Sequence, residues 1–315
     1  MLNRHELIEL YQHSEKNRML FYYLERARML DPHGFSAVYE SENAKRLRID
    51  DSISKVSRTL SDEHIEHAVF KTIRPYRCTT VDIDVIIFGD YVNAAEVMKD
   101  AGYSLVVQGP MSTTMKDQEV DIGIDLYDHV AVSSITYIDK RKLIDSITET
   151  ILWNKRPVRT LKPEADLICV IAHSMIKEQM YTLAEYYTFI YYLEQINVGK
   201  FLRKAEQTNT KNAIKTHAAI TALLHKSAHG TVPDTLREVL DTIGRDDFEA
   251  ARLQKRGYDT PHKYHPYTIS KCLIEVLKQE ETRKSLAKQL SNMFDPNFAN
   301  DFLRKLVQHL FRETY

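Results

Sequence analysis

Glycine and proline are scarce in this chain, nine of each in 315 residues. That shortage excludes a turn-rich architecture and points to a helix-rich one. The three cysteines, Cys78, Cys169 and Cys272, lie far apart and form no C-x-x-C pair. They exclude a disulfide frame and a cysteine-built zinc site, and they suit a reducing cytosol. No apolar run reaches the length of a bilayer span, and the first residues show no signal-peptide pattern, so a cytoplasmic protein with no membrane partner is expected. An excess of one charge is missing too, with Lys+Arg 43 against Asp+Glu 44. A dedicated nucleic-acid coat is usually basic overall, so that class is excluded, while a local basic cleft is not. Internal repeats and low-complexity segments are absent.

What is present is a hydrophobic fraction of 43% in a chain long enough for two domains, or for one domain with a large helical extension. The chemistry concentrates between Phe70 and Phe88, FKTIRPYRCTTVDIDVIIF. Side chains alternate across a strand, so Asp82 and Asp84 share one face while Val81, Ile83 and Val85 share the other. Two carboxylates about 7 Å apart on one face repel each other and call for a cation. Hard oxygen donors of this kind suit Mg²⁺ or Mn²⁺. The run after Asp84 is continuously apolar, as in a strand buried on both faces, and Lys71, Arg74 and Arg77 precede the aspartates. Phosphate-binding cations beside a metal-binding pair describe a site for a nucleoside triphosphate.

Around this stretch the pattern predicts a helix over 3–30, stopped by Asp31-Pro32-His33-Gly34, then a charged, weakly patterned segment to Leu60. A helix opening at Ser61 or Asp62 is expected to bury Ile65, Ala68, Val69 and Phe70 and to deliver Lys71. A short helix over 92–101 ends at a Gly102 cap, and strands follow over 103–107, 112–115 and 119–127. In the last of these, Asp121 and Asp125 share a face about 13 Å apart, so either one supplies a third carboxylate. From Leu143 onward helices are expected, with 153–163 as a polar connector. The expected spans are 164–193, 200–228, 234–243, 247–256, 268–293 and 296–313.

Taken together, a short helix, a loop, a strand reading h-D-h-D-h and a later acidic strand resemble the nucleotidyltransferase-like families of the DNA polymerase β superfamily. The matching elements are Lys71, Arg77, Asp82-Ile83-Asp84 and Ile124-Asp125-Leu126-Tyr127, with ADLICVIAHSMIKEQMYTLAEYY at 165–187 resembling the family's helix. The resemblance implies an α+β fold: N-terminal helices over 1–60, a small mixed-sheet domain over 61–145 and a large helical domain over 146–315. It implies that Asp82 and Asp84 hold two Mg²⁺ ions and that Asp125, with Asp121 as the alternative, is the third carboxylate. It also places His173 and Lys177 toward the cleft. One departure is plain. The Gly-Gly or Gly-Ser pair that precedes the aspartates in the wider superfamily is missing, and Thr79 and Thr80 offer hydroxyls and amides in its place.

The expected activity is transfer of a nucleotide from an NTP such as ATP to an RNA end, a protein hydroxyl or a small molecule. Two other classes stay open. One is a catalytically degenerate module that binds a nucleotide or a partner protein, and the other is a helical scaffold.

Overall fold

The computed structural model describes residues 4–132 and 134–292. The helix expected over 296–313 lies outside the described residues. Among those residues, no helix is long and apolar enough to cross a membrane. The architecture is α+β: N-terminal helices, a mixed sheet, and a helical C-terminal body.

The expected helix over 3–30 is two helices, α1 (Arg4–Lys16) and α2 (Leu20–Leu30), broken at Arg18, whose φ is +58°. Asp31 then caps α3 (Pro32–Asp62), its Oδ1 accepting from the Gly34 amide at 2.9 Å with Pro32 in the first turn. A Cβ at Gly34 would collide with that carboxylate, so the cap itself calls for glycine there. Thirty-one residues of helix replace the featureless segment expected before Leu60. The hydrophobic pattern is weak because the buried stripe of α3 carries Arg46, Asp50, Ser52, Ser54 and Ser57 among Ile49, Ile53, Val56 and Leu60. Each of these polar residues has a bonded partner: Arg46 with Asp50 at 2.7 Å, Ser52 with Asp117 at 2.8 Å, Ser57 with His67 at 3.0 Å, and the Ser54 hydroxyl with the Asp50 carbonyl at 2.8 Å.

No helix opens at Ser61. His64 turns the chain with φ +57°, and residues His67–Val69 form strand β1. Ile65, Ala68, Val69 and Phe70 are all buried, which a two-sided strand satisfies and a one-sided surface helix does not. Next come β2 (Asp82–Ile87), α4 (Tyr91–Asp100), β3 (Ser104–Gln108), β4 (Ser112–Asp117) and β5 (Ile122–Tyr127). Val81 lies ahead of β2 and is 83% exposed, so it does not join the apolar face expected of it. A small ribbon, β6 (Val130–Val132) with β7 (Ile135–Ile138), precedes the hairpin β8 (Ile147–Ile151) and β9 (Pro157–Leu161). That hairpin replaces the polar connector expected over 153–163 and lies beyond residue 145.

The sheet order is β3-β4-β5-β2-β1-β9-β8, with β2/β5 and β1/β9 parallel and the remaining pairs antiparallel. One face packs Ile83, Val85, Ile87, Ile124 and Leu126 under α3 and α4. The other packs Ala68, Phe70, Ile86 and Tyr127 against the C-terminal helices. These are α5 (Pro163–His173), α6 (Leu183–Leu193), α7 (Val198–Gln207), α8 (Lys211–His229), α9 (Asp234–Ile243), α10 (Phe248–Lys255), α11 (Pro266–Val276) and α12 (Glu280–Asn292). Three expected single helices are therefore split. The break in 164–193 is a π-turn, Ser174–Glu178, closed by Gln179 at φ +56°. Beyond it, Met180–Tyr181 (β10) pairs with His262–Lys263 (β11).

Because Leu60 is fully buried under the sheet and Leu47 of the same helix is 41% exposed, the two make a controlled pair. Leu60→Ala is expected to lower unfolding free energy by about 2–5 kcal/mol. Leu47→Ala should stay within about 0.5 kcal/mol of wild type in the same urea titration.

Candidate active site

The site lies on the sheet face that meets the C-terminal helices. In the parallel β2/β5 register Asp84 stands opposite Asp125 and Asp82 opposite Gly123. Alternation puts all three aspartates on the side of Tyr127, and a carboxylate oxygen from each lies within 4.8 Å of the others. Gly123 leaves open space beside Asp82, where a Cβ would meet nothing. Asp125 is aimed by β4: the Thr114 hydroxyl donates to its Oδ1 at 2.6 Å, and Tyr127 reaches Oδ2 at 3.4 Å.

Burial and then the charges of Asp84 and Asp125 push the Asp82 carboxyl up to about 7, against the pull of Lys71 and Lys177. Asp84 shifts the opposite way. Burial alone would raise it, but Lys71, with His173 and Lys177, holds it below the usual carboxylate range. A crowd of hard oxygens with mutual repulsion to relieve is what a divalent cation fits.

Lys71 reaches Asp84 Oδ1 at 3.2 Å. Its backbone has φ +59°, rare for a residue with a side chain. Asp166 of α5 fixes that turn, accepting the Lys71 amide on Oδ1 at 2.7 Å and the Tyr192 hydroxyl on Oδ2 at 2.6 Å. Thr72 accepts the Asp84 amide at 2.8 Å, tying the turn to β2. His173 Nδ1 lies 3.1 Å from Lys71 Nζ, and its Nε2 lies 2.9 Å from Glu178 Oε1. An ammonium has only protons to offer, so Nδ1 accepts and Nε2 carries the proton donated to Glu178. Glu178 in turn accepts from Arg18 at 3.0 Å. Burial, then Lys71 and Lys177, push the His173 imidazole well below its ordinary value.

Of the residues expected here, the structure brings together Asp82, Asp84, Asp125, Lys71 and His173, and Lys177 acts on the first two through its charge. Asp121 is not among them. It sits in the turn before β5 with φ +59°, and its carboxylate pairs with Lys116 at 2.6 Å in solvent. Arg74 is committed to α6, through Thr188 at 3.2 Å and Glu185 at 3.8 Å. Arg77 pairs with Glu25 at 3.3 Å and stacks over Trp153 at 5.0 Å. Both arginines follow the turn at Lys71, and the loop carries them against the N-terminal helices and α6. Thr80 bonds the Asp82 carbonyl at 2.9 Å, and the buried Thr79 hydroxyl has no hydrogen-bond partner among the described residues. Asp166, Thr114, Glu178 and Arg18 escape a sequence reading. Asp166 alone leaves a trace, as an acid in the apolar run ADLICVIA.

No family model matches the chain, and no curated protein matches it. Among solved structures it is similar to the antibiotic-resistance factor ANT(2'')-Ia in solution, at 12% identity and TM-score 0.41, covering 58% of this chain and 99% of that one. It is also similar to the Thermotoga maritima CCA-adding enzyme complexed with tRNA, at 13% identity and TM-score 0.25, covering 85% and 76%. A third is the STING-associated CdnE c-di-GMP synthase from Capnocytophaga granulosa, at 12% identity and TM-score 0.33, covering 92% and 100%.

The raised Asp82 carboxyl makes a pH prediction. Between 3.8 and about 7 the native state holds a proton that the unfolded chain has lost. Stability therefore falls as pH rises through that window. Without divalent ions, Asp82→Asn should melt at a higher temperature than wild type at pH 8, and the gain should vanish by about pH 4.

Proposed function

We propose that this chain is a divalent-metal-dependent nucleotidyltransferase that moves a nucleoside monophosphate from an NTP to an acceptor hydroxyl. The observation that carries this reading is the convergence of Asp82, Asp84 and Asp125 on one face of β2 and β5, with Lys71 bonded beside them. Asp82 and Asp125, with the open side of Asp84, would hold the cation. A divalent ion bound there would polarise phosphoryl oxygens and offset the charge that builds up during transfer.

The chain's own groups do the rest. Lys177 adds positive charge over Asp82 and Asp84 and faces no fixed anion within ion-pair distance among the described residues, which leaves its ammonium for the phosphates. Asp125 is held by Thr114 through Oδ1 and by Tyr127 through Oδ2, and it would take the proton of an acceptor hydroxyl brought beside it. The open space at Gly123 beside Asp82 gives the substrate room to approach. The acceptor hydroxyl would belong to an RNA end, a protein or a small molecule.

Incubation with Mg²⁺, each labelled NTP, and RNA or cell lysate tests it. Label transfer should occur and should fall by about two orders of magnitude or more in Asp84→Asn and Asp125→Asn. Thermal stabilisation by Mg²⁺ and NTP with no transfer under any condition would instead assign a binding module.

A further inference from the structure

Asp84 Oδ1 is fully enclosed by protein, and its partner in charge is the Lys71 ammonium at 3.2 Å. The ammonium is itself seated: His173 Nδ1 lies at 3.1 Å, and the rings of Phe70 and Tyr127 lie at 4.7 Å and 5.1 Å. Both side chains of the pair are more than nine-tenths buried, and the Lys71 turn is fastened by Asp166. Swinging Lys71 aside would leave an unpaired carboxylate in an enclosed place, which is costly.

Resting on the metal-dependent reading above, we propose that the Lys71 ammonium is a built-in cation of the centre, so that the protein binds one divalent ion there and not a pair. A two-ion clamp needs its shared carboxylate to reach both ions, about 3.5–4 Å apart. Here Oδ1 of Asp84, one of the oxygens available for such sharing, already faces the Lys71 ammonium. Magnesium sheds water reluctantly and keeps several waters in its shell, and the enclosed oxygen has no solvent side from which a hydrated ion approaches. A second ion on Oδ1 would also have to share that single oxygen with the ammonium, two cations against one anionic atom. The remaining oxygens, on Asp82, Asp125 and the other side of Asp84, form the single position left.

Electron paramagnetic resonance of Mn²⁺ bound to the full chain, alone and with a non-hydrolysable NTP analogue, decides the matter. Wild type should bind one Mn²⁺ per chain in this site and show no spin–spin coupling. Lys71→Met, nearly isosteric and uncharged, should admit a second ion and show the coupling of a pair about 3.5–4 Å apart. Lys71→Arg should stay at one ion. A coupled pair in wild type overturns the role given to Lys71 and leaves metal-dependent transfer standing. A folded Lys71→Met that still takes one ion also overturns it. No bound Mn²⁺ with or without nucleotide removes both readings together. The wild-type count stands even where the substitution prevents folding.

Discussion

Three carboxylates packed on one face of two parallel strands repel one another, and the rest of this structure supplies what lets them coexist. The parallel pairing of β2 with β5 sets Asp84 opposite Asp125 and leaves Asp82 beside the open space at Gly123. Positive charge has to come from outside the sheet, and it comes from two directions. Lys71 arrives from the end of β1, and Lys177 from the π-turn that follows α5. The electrostatic outcome is asymmetric. Asp84, beside Lys71, stays charged, while Asp82 carries the unrelieved repulsion. One carboxylate of the centre is charge-paired and another is frustrated, a repulsion that a bound cation would relieve.

The helices around the sheet serve that asymmetry. Asp166 is the one charged residue among the buried residues of α5, and it holds the Lys71 amide and the Tyr192 hydroxyl at once. From Lys71 a line of bonded groups runs through His173 and Glu178 to Arg18, at the break between α1 and α2. The same break is pinned by Asn17, whose side chain bonds the Thr260 carbonyl and the Leu183 amide. The N-terminal helices are thus wired to the centre through polar contacts, and Tyr76, packed against Tyr22 and Tyr187, fastens the intervening loop.

The shared strand face of Asp82 and Asp84 and the order of layers were legible in the sequence, because both depend on local pattern. An aspartate pair in a β-branched run, followed by continuous apolar residues, has few other ways to fold. What stayed hidden depends on tertiary partners. The choice between Asp121 and Asp125 turned on where β5 begins, and a left-handed residue at Asp121 moved that start by three positions. The strand β1 read as helix because a three-residue strand buried on both sides has no period of its own. The α3 helix was obscured by serines and charges that bond to residues far along the chain, as Ser52 does to Asp117. The β8–β9 hairpin looked like a polar connector because its turn and second strand carry Asn154, Lys155, Arg156 and Arg159. Arg74 and Arg77 were near the aspartates in sequence, but their loop folds back onto α2 and α6.

Anomalous diffraction from crystals grown with Mn²⁺ tests the central claim most directly. The account predicts a peak bonded to oxygens of Asp82, Asp84 and Asp125 at on the order of 2.1 Å, as for Mg²⁺. A well-ordered centre with no such peak, or a peak seated on other residues while these carboxylates turn to water, would contradict it.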